Sequence, residues 1–315
     1  MIVVDNVTKY YGERAAVSQL SFKINRGEVI GLLGLNGSGK TTTLRLLSGL
    51  LFPSSGRIEI AGVVMNDAPE QIRSKIGFLP ETPPVYLEMT VYNYLRFVAD
   101  LKGVTTNMGD AIAQALAAAD LQDVSTQVIG TLSHGYTKRV GIAQAIVHKP
   151  ALILLDEPTS GLDPMQVVHM RQLVRNLRQK HTVLISSHIL GEIQQVCDRI
   201  LVLHKGSIAA EGTEEQLAQQ VAHNATLHVD IRGDKASLVN CLSKIRDVTR
   251  YTIDREHEGV VFATVELQGD RREELAKQLI AANLGLRRLE NARLELEDIF
   301  LRLTGKNSQA TDLVN

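Results

Sequence analysis

The sequence predicts an α/β protein: a parallel sheet covered by helices, a small antiparallel β-subdomain beside it, and a C-terminal α+β domain of ferredoxin-like order. Three observations carry this reading. The apolar runs 29–33, 151–155 and 182–186 are continuous rather than alternating, the pattern of strands buried on both faces. Stretches of helical period separate them, at 41–51, 165–179 and 189–197. Between residues 212 and 224 Gln, Glu and Ala replace the apolar strands, and a second pattern of strands and helices begins. The length of 315 residues also leans toward two domains, at about 150 residues each.

Taken in chain order, residues 8–24 and 57–64 alternate and are broken by glycine, which predicts the antiparallel sheet. After residue 225, strand-like and helix-like segments follow at 226–231, 235–245, 248–254, 260–267, 271–283 and 286–289. A turn at Glu256-His-Glu-Gly259 joins the third and fourth, and a last helix is expected at 294–303. The resulting order, βαββαβ plus a helix, is that of the ferredoxin-like split motif. The expected boundaries are a first domain at 1–215, a linker at 216–225, an accessory domain at 226–304 and a polar, frayed tail at 305–315.

Composition narrows the function. With 44% hydrophobic and 22% charged residues the chain has material for real cores, which excludes disorder and fibrous repeats. Its formal net charge of −1 argues against a bulk-electrostatic partner such as nucleic acid. No apolar run approaches the roughly 18–20 residues that span a bilayer, and the first residues do not read as a signal peptide. Cys197 and Cys241 have neither metal-like nor redox-like spacing. A soluble protein of a reducing compartment is expected. The histidines other than 134 and 188 have no ligand spacing and are expected in solvated or capping roles.

Two elements carry chemistry. Gly34-Leu35-Asn36-Gly37-Ser38-Gly39-Lys40-Thr41 fits G-x-x-x-x-G-K-[ST], between an expected strand and an expected helix. In such a loop glycine lets backbone N–H groups turn toward phosphate oxygens, and the helix N-terminus adds its positive end. Lys40 is expected to reach the β- and γ-phosphates, Thr41 to ligate magnesium, and Thr42 to complete the nucleotide-binding stretch. The second element is Leu152-Ile-Leu-Leu-Asp156-Glu157. Its two carboxylates emerge at the C-terminal end of a buried strand, where open parallel sheets hold their ligands. Asp156 suits magnesium, directly or through water, and Glu157 suits polarisation of an attacking water.

With both elements in place, Leu132-Ser133-His134-Gly135-Tyr136 is similar to the signature motif of ATP-binding-cassette (ABC) ATPases. Ser160-Gly-Leu-Asp163 resembles their D-loop, His188 their switch histidine, and Tyr11 the aromatic residue that stacks on adenine. The resemblance covers about residues 1–215. It implies a P-loop NTPase core with a helical signature subdomain, with ATP and Mg2+ as cofactors and Glu157 and His188 as catalytic residues. It also implies a head-to-tail homodimer, in which Ser133, His134 and Gly135 act on the nucleotide of the other copy. The implied partner is a transmembrane permease, at the cytoplasmic face of the cell membrane. Within the family the chain looks most like gliding-motility and drug-export ATPases with a C-terminal extension, which 296–305 resembles in its closing segment.

Two departures stand out. The signature usually has Gly and Gln where His134 and Tyr136 stand, so His134 reads either as a site residue or as an exposed helix-start residue. The lid loop Gly77-Phe-Leu-Pro-Glu81 carries a carboxylate where the family has Gln. Glu81 reads either as a magnesium ligand, the favoured role, or as a surface acid. Five of the thirteen aromatic residues, Phe78, Tyr86, Tyr92, Tyr94 and Phe97, cluster just after this loop. By resemblance that patch receives a helix of the membrane subunit, and some of its rings pack the subdomain. The alternative is a soluble ABC ATPase acting on ribosomes or DNA. A single phosphate loop, and only about 115 residues without heptads between Lys40 and Asp156, weigh against it.

Overall fold

The computed structural model describes residues 1–221, 224–269 and 271–291, in two units that divide after Thr213. The first unit runs β1 (Ile2–Tyr11), β2 (Arg14–Ile24), β3 (Val29–Leu33), α1 (Lys40–Leu47), β4 (Ser55–Ile60), β5 (Val63–Val64), α2 (Pro69–Ser74) and β6 (Ile76–Leu79). It continues with α3 (Val91–Leu101), α4 (Met108–Ala118), α5 (His134–Ile146), β7 (Leu152–Asp156), α6 (Pro164–Leu177), β8 (Thr182–Ser187), α7 (Leu190–Gln194), β9 (Arg199–His204) and β10 (Ser207–Gly212).

Two sheets organise this unit. The antiparallel one has the order β2-β1-β4-β5, and the larger one the order β10-β9-β3-β8-β7-β6. In the larger sheet β6, β7, β8, β3 and β9 run parallel, and only β10 is antiparallel. Every residue of β3, β7 and β8 is buried, as continuous apolar strands require. The two sheets share one core, in which Ile24 and Ile58 of the small sheet join Leu32, Leu154 and Leu184 of the large one.

Some boundaries differ from the sequence expectation. The helix expected over 41–51 stops at Leu47, because Gly49 takes a left-handed φ of 72°. There Gly49 N–H donates to the Leu46 carbonyl and Leu50 N–H to the Arg45 carbonyl, a Schellman closure. The helix expected over 189–197 is the short α7.

Strand β6 sits at a sheet edge, where open backbone groups need cover. Helix α5 supplies it: Gln144 donates to the Phe78 carbonyl at 2.8 Å, and His148, just past the helix, lies 3.0 Å from the Ile76 carbonyl. The approach is so close that a Cβ on Gly77 would come within 2.0 Å of the Ala145 carbonyl.

The second unit contains α8 (Glu214–Val221), β11 (Asn224–Arg232), α9 (Lys235–Leu242), β12 (Val248–His257), β13 (Val260–Gln268), α10 (Arg272–Ala281) and β14 (Gly285–Asn291). The sheet order β12-β13-β11-β14, antiparallel throughout, is the ferredoxin-like arrangement expected. Its own core includes Leu227, Val229 and Ile231 with Leu238, Leu242, Leu275 and Leu279. The hairpin turn is Glu258-Gly259, both at positive φ, one step later than the middle of the expected turn. Residues 216–225, expected as a linker, lie mostly within α8 and the start of β11; acidic Glu214 and Glu215 open the helix and Leu217 is fully buried. The helix expected at 294–303, with the 296–305 resemblance, and the tail at 305–315 lie outside the described residues.

The α5–β6 seam contains a titration that can be measured. Burial, reinforced by the charge of Lys102, pushes His148 down to about 4. In the unfolded chain a histidine titrates near 6.5. Between these values the unfolded state binds a proton that the folded state does not, so stability falls as pH drops through 6.5 toward 4, by up to about 3 kcal/mol. His148→Gln keeps an N–H donor for Ile76 and removes the titration. Urea midpoints from pH 7 to 4.5 are expected to fall less steeply for this variant than for the wild type, and equal slopes would contradict the assignment.

Candidate active site

The site lies at the C-terminal ends of β3, β7 and β8, which are adjacent and in register: Leu33 pairs with Ser187, and Asp156 with Ser186. After β3 the chain enters the glycine loop, in which Gly37 and Gly39 have φ of 79° and 107°. A Cβ on Gly39 would stand 2.7 Å from the Ala16 carbonyl, so both space and backbone conformation demand glycine there. Lys40 opens α1, is buried, and donates to the Gly34 carbonyl at 2.7 Å, with the Leu35 carbonyl at 3.4 Å. The Ser38 hydroxyl is buried without a hydrogen-bond partner. An orphaned hydroxyl beside a helix N-terminus fits an anion as its partner.

After β7 the chain turns through Glu157 at a left-handed φ of 46°. Its N–H is fixed by Ser186, through the carbonyl at 3.2 Å and the hydroxyl at 3.1 Å. This turn aims the carboxylate between two partners: Oε1 lies 3.3 Å from Lys40 Nζ, and Oε2 lies 2.9 Å from His188 Nδ1. Asp156, one residue earlier, is almost fully buried and accepts from the Ser186 hydroxyl at 2.7 Å.

Ten of the residues singled out from the sequence line one cavity of about 870 Å³. Tyr11 stands on its wall with Asn36, Gly37, Gly39 and Lys40 of the loop. Thr41, Thr42, Glu81, Glu157 and His188 complete this set. Glu81, an exposed residue, is thus at the cavity, where either of its two roles would place a carboxylate beside the loop. Gly34, Leu35, Ser38 and Asp156 are not on the cavity wall, although Lys40 on the wall donates to the Gly34 and Leu35 carbonyls. Ser133, His134, Gly135 and Asp163 do not line it either. Ser133 caps α5, its hydroxyl 3.4 Å from the Tyr136 N–H, while Asp163 caps α6 by accepting from the Gln166 N–H at 2.9 Å. His134 Nε2 lies 3.4 Å from the Ser160 carbonyl, and a Cβ on Gly135 would collide with the Gln166 amide.

Among the described residues no group of three or more His, Cys, Asp or Glu forms a metal cluster. Magnesium does not require one, since it retains waters and takes one or two protein oxygens together with phosphate. The hard oxygens of Thr41 and Glu81, both lining the cavity, fit that demand.

Sequence reasoning missed several residues of the site. Arg14 and Lys205 also line the cavity as exposed cations, beside Ser160 of the D-loop-like segment; the two cations carry no motif, and Arg14 alone has a clue in its nearness to Tyr11. Glu192 is a buried carboxylate that accepts from the hydroxyls of Thr159 and Ser187, the latter at 3.0 Å. It ties the turn after Glu157 to the one that carries His188. Lys138 is fully buried and donates to the Glu81 carbonyl and, at 3.3 Å, to the Glu157 carbonyl. Burial pushes its ammonium down, while Glu81, Asp156 and Glu157 pull it back up. The aromatic cluster is split. Tyr94 is buried, its hydroxyl donating to the Pro84 carbonyl, and burial raises it to about 12. Tyr86 packs edge-on to Tyr94 and Phe97 and stays half exposed, as does Tyr92.

Comparison with known proteins adds an independent line. Residues 17–160 match the family model described as ABC transporter. The chain is 32% identical over 307 residues to the bacitracin transport ATP-binding protein BcrA of Bacillus licheniformis, covering 97% of each. It is 34% identical to the Nod factor export ATP-binding protein I of Burkholderia orbicola, covering 96% of this chain and 97% of that one. The solved ATP-binding subunit of an ABC transporter aligns with a TM-score of 0.64 and 31% identity, over 70% of this chain and 92% of its own. A dimeric ATP-binding cassette in a post-hydrolysis state, bound to ADP and phosphate, aligns with a TM-score of 0.62 and 28% identity, over 68% and 98% respectively.

Because Glu192 satisfies two hydroxyls in the interior, its removal should cost more than a surface acid would. Glu192→Ala is expected to destabilise the first unit by about 2–4 kcal/mol, since it leaves Thr159 and Ser187 without their acceptor. Glu192→Gln keeps one acceptor oxygen and should lose less. Chemical denaturation of both variants checks the order, and equal or negligible losses would remove Glu192 from this role.

Proposed function

The chain belongs to the ABC transporter ATP-binding family and is an ATPase, and from that premise we propose that it powers export through a separate permease by closing as a head-to-tail homodimer around two ATP molecules. The observation that carries the catalytic half is the Glu157 carboxylate, held between Lys40 and His188 on the wall of the phosphate-loop cavity. In the proposed reaction Glu157 takes a proton from water as the water oxygen bonds to the γ-phosphorus. The bond from that phosphorus to the bridging oxygen of ADP breaks, leaving ADP and phosphate. Lys40 balances charge on the phosphate oxygens, and His188 orients the Glu157 carboxylate. Magnesium, when bound, neutralises charge on the β- and γ-phosphate oxygens; Thr41 and Glu81 would hold it, with Asp156 acting through water. Tyr11, on the cavity wall, offers its ring to adenine.

The dimer reading draws support from the position of Ser133. Its capped helix start does not line the cavity that Lys40 lines, so its natural ligand is the nucleotide of a second copy, with His134 and Gly135 beside it and Asp163 at the shared seam. ATP then bridges two faces, and loss of the γ-phosphate contact lets them part. Export is supported by relatives named for bacitracin transport and Nod factor export. The exposed rings and side chains of Tyr86, Leu87 and Tyr92 offer an apolar face to a permease helix. That docking would hold the chain peripherally at the cytoplasmic face of the membrane, since no described helix is long and apolar enough to cross it. The C-terminal unit is read as an accessory domain of residues 226–304, acting on self-association or dimer regulation rather than on catalysis.

Three experiments test this reading. Glu157→Gln should bind ATP while turnover falls on the order of 10²–10⁴-fold. It should dimerise with ATP, dissociate with ADP, and lose the ATP dimer when Ser133→Arg is added. Mixing Lys40→Ala with Ser133→Arg chains should restore activity, because each mixed dimer then keeps one intact site; full activity of either mutant as a monomer would overturn the shared site. Separately, a chain ending at Thr213 should stay folded and bind ATP with altered dimer stability, and outright loss of binding would defeat the accessory-domain reading.

A further inference from the structure

Lys138 has no role in the hydrolytic scheme, yet it is among the most deeply buried side chains of the first unit, at 1% exposed. It lies in the second turn of α5, a helix whose other buried positions include Val140, Ile142, Ala143 and Ile146. An ammonium is costly in such a place unless its donors are used. Two of them are: one N–H meets the Glu81 carbonyl and another the Glu157 carbonyl, which lie 76 residues apart in the chain. The carboxylates of Glu81, Asp156 and Glu157 surround it electrostatically. One buried cation therefore fastens three pieces of chain together: the lid loop after β6, the left-handed turn after β7, and the helix that Ser133 caps.

We propose that Lys138 is a positioning residue that couples the signature helix of each chain to the hydrolytic groups of that same chain. The proposal rests on the shared-site reading above. Ser133 engages the nucleotide of the partner, and Lys138 lies five residues farther along the same rigid helix, about 7.5 Å at 1.5 Å per residue. A shift of α5 on contact with the partner's ATP moves the Lys138 ammonium, and with it the peptide carbonyls of Glu81 and Glu157. Occupation of one site thereby sets the geometry of the base and the lid-loop carboxylate in the other, which is a physical route to cooperative hydrolysis. Apolar packing alone would not do this, because it holds α5 in place without gripping those two carbonyls.

The test separates binding, turnover and cooperativity in the full chain. Lys138→Met preserves length and removes the donors, while Lys138→Gln keeps a shorter N–H donor. For Lys138→Met, binding of a fluorescent ATP analogue is expected to stay within about threefold of wild type. The kcat should fall on the order of ten- to a hundredfold, as for misplacement of a catalytic group, and the Hill coefficient should drop from above 1 to about 1. Lys138→Gln should recover part of both. Thermal melts establish which variants are folded, and if Lys138→Met is not, Lys138→Gln and Lys138→Arg decide by the same criteria against wild type. Unchanged kcat and Hill coefficient in a folded variant, or parallel loss of binding and turnover, would overturn the coupling role. A wild-type chain that hydrolyses without cooperativity as a monomer would instead defeat the shared-site reading, whereas cooperativity that survives in folded Lys138 variants defeats the coupling alone.

Discussion

Everything in the catalytic unit depends on three adjacent parallel strands ending at the same level. β8 lies between β3 and β7, and the register brings Leu33 beside Ser187 and Asp156 beside Ser186. Each strand then delivers one chemical group within a residue or two of its end, or at the start of the following helix: the phosphate loop and Lys40, the carboxylate of Glu157, and the imidazole of His188. Parallel strands align their C-terminal ends, and helix N-termini follow them, so cationic, anionic and titratable groups converge without any long side chain reaching for them. A register slip of one residue would turn each strand's side chains to the opposite face and separate Glu157 from its partners.

Holding the groups there requires backbone conformations that the strands do not supply. Glu157 adopts a left-handed φ although it is not glycine, a conformation that costs on the order of 1 kcal/mol or more. Its surroundings over-determine it. Ser186 fixes the N–H, Lys138 holds the carbonyl, and Lys40 and His188 hold the carboxylate. Four contacts on one residue maintain a conformation that no single contact would, and they explain why the acid points into the cavity rather than away from it.

Much of this was legible in the sequence, and the division between what was and was not has a physical basis. Features whose parts are contiguous in the chain could be read directly: the glycine loop, the acidic strand end and the βαββαβ order of the second unit. Glu81 could be named as a candidate from the sequence, and the structure brings it to the cavity wall. Lys138 and Glu192 could not be found, because each acts on residues distant in sequence, and a lone lysine or glutamate in a helical stretch reads as a solvated face. Helix ends failed where a single residue decides them. Gly49 stops α1 before the apolar pattern ends, and the acidic Glu214 and Glu215 start a helix where composition suggested a linker.

The buried charges give the same conclusion from energetics. Among the described residues Lys40, Lys138, Asp156, Glu157 and Glu192 are the charged residues buried from solvent, and all five surround the ends of β3, β7 and β8. A protein shaped for stability alone would fill such positions with apolar side chains, because a buried ion pair is often no better than its hydrophobic replacement. Their concentration in one place, two cations against three acids, marks where the molecule accepts that cost to hold charge in readiness. It also sets what can move. Apolar layers resist rearrangement through close packing alone, whereas hydrogen-bonded charges have alternative partners a few ångströms away. The region best able to exchange one set of contacts for another is therefore the one where α5, the lid loop and the Glu157 turn meet.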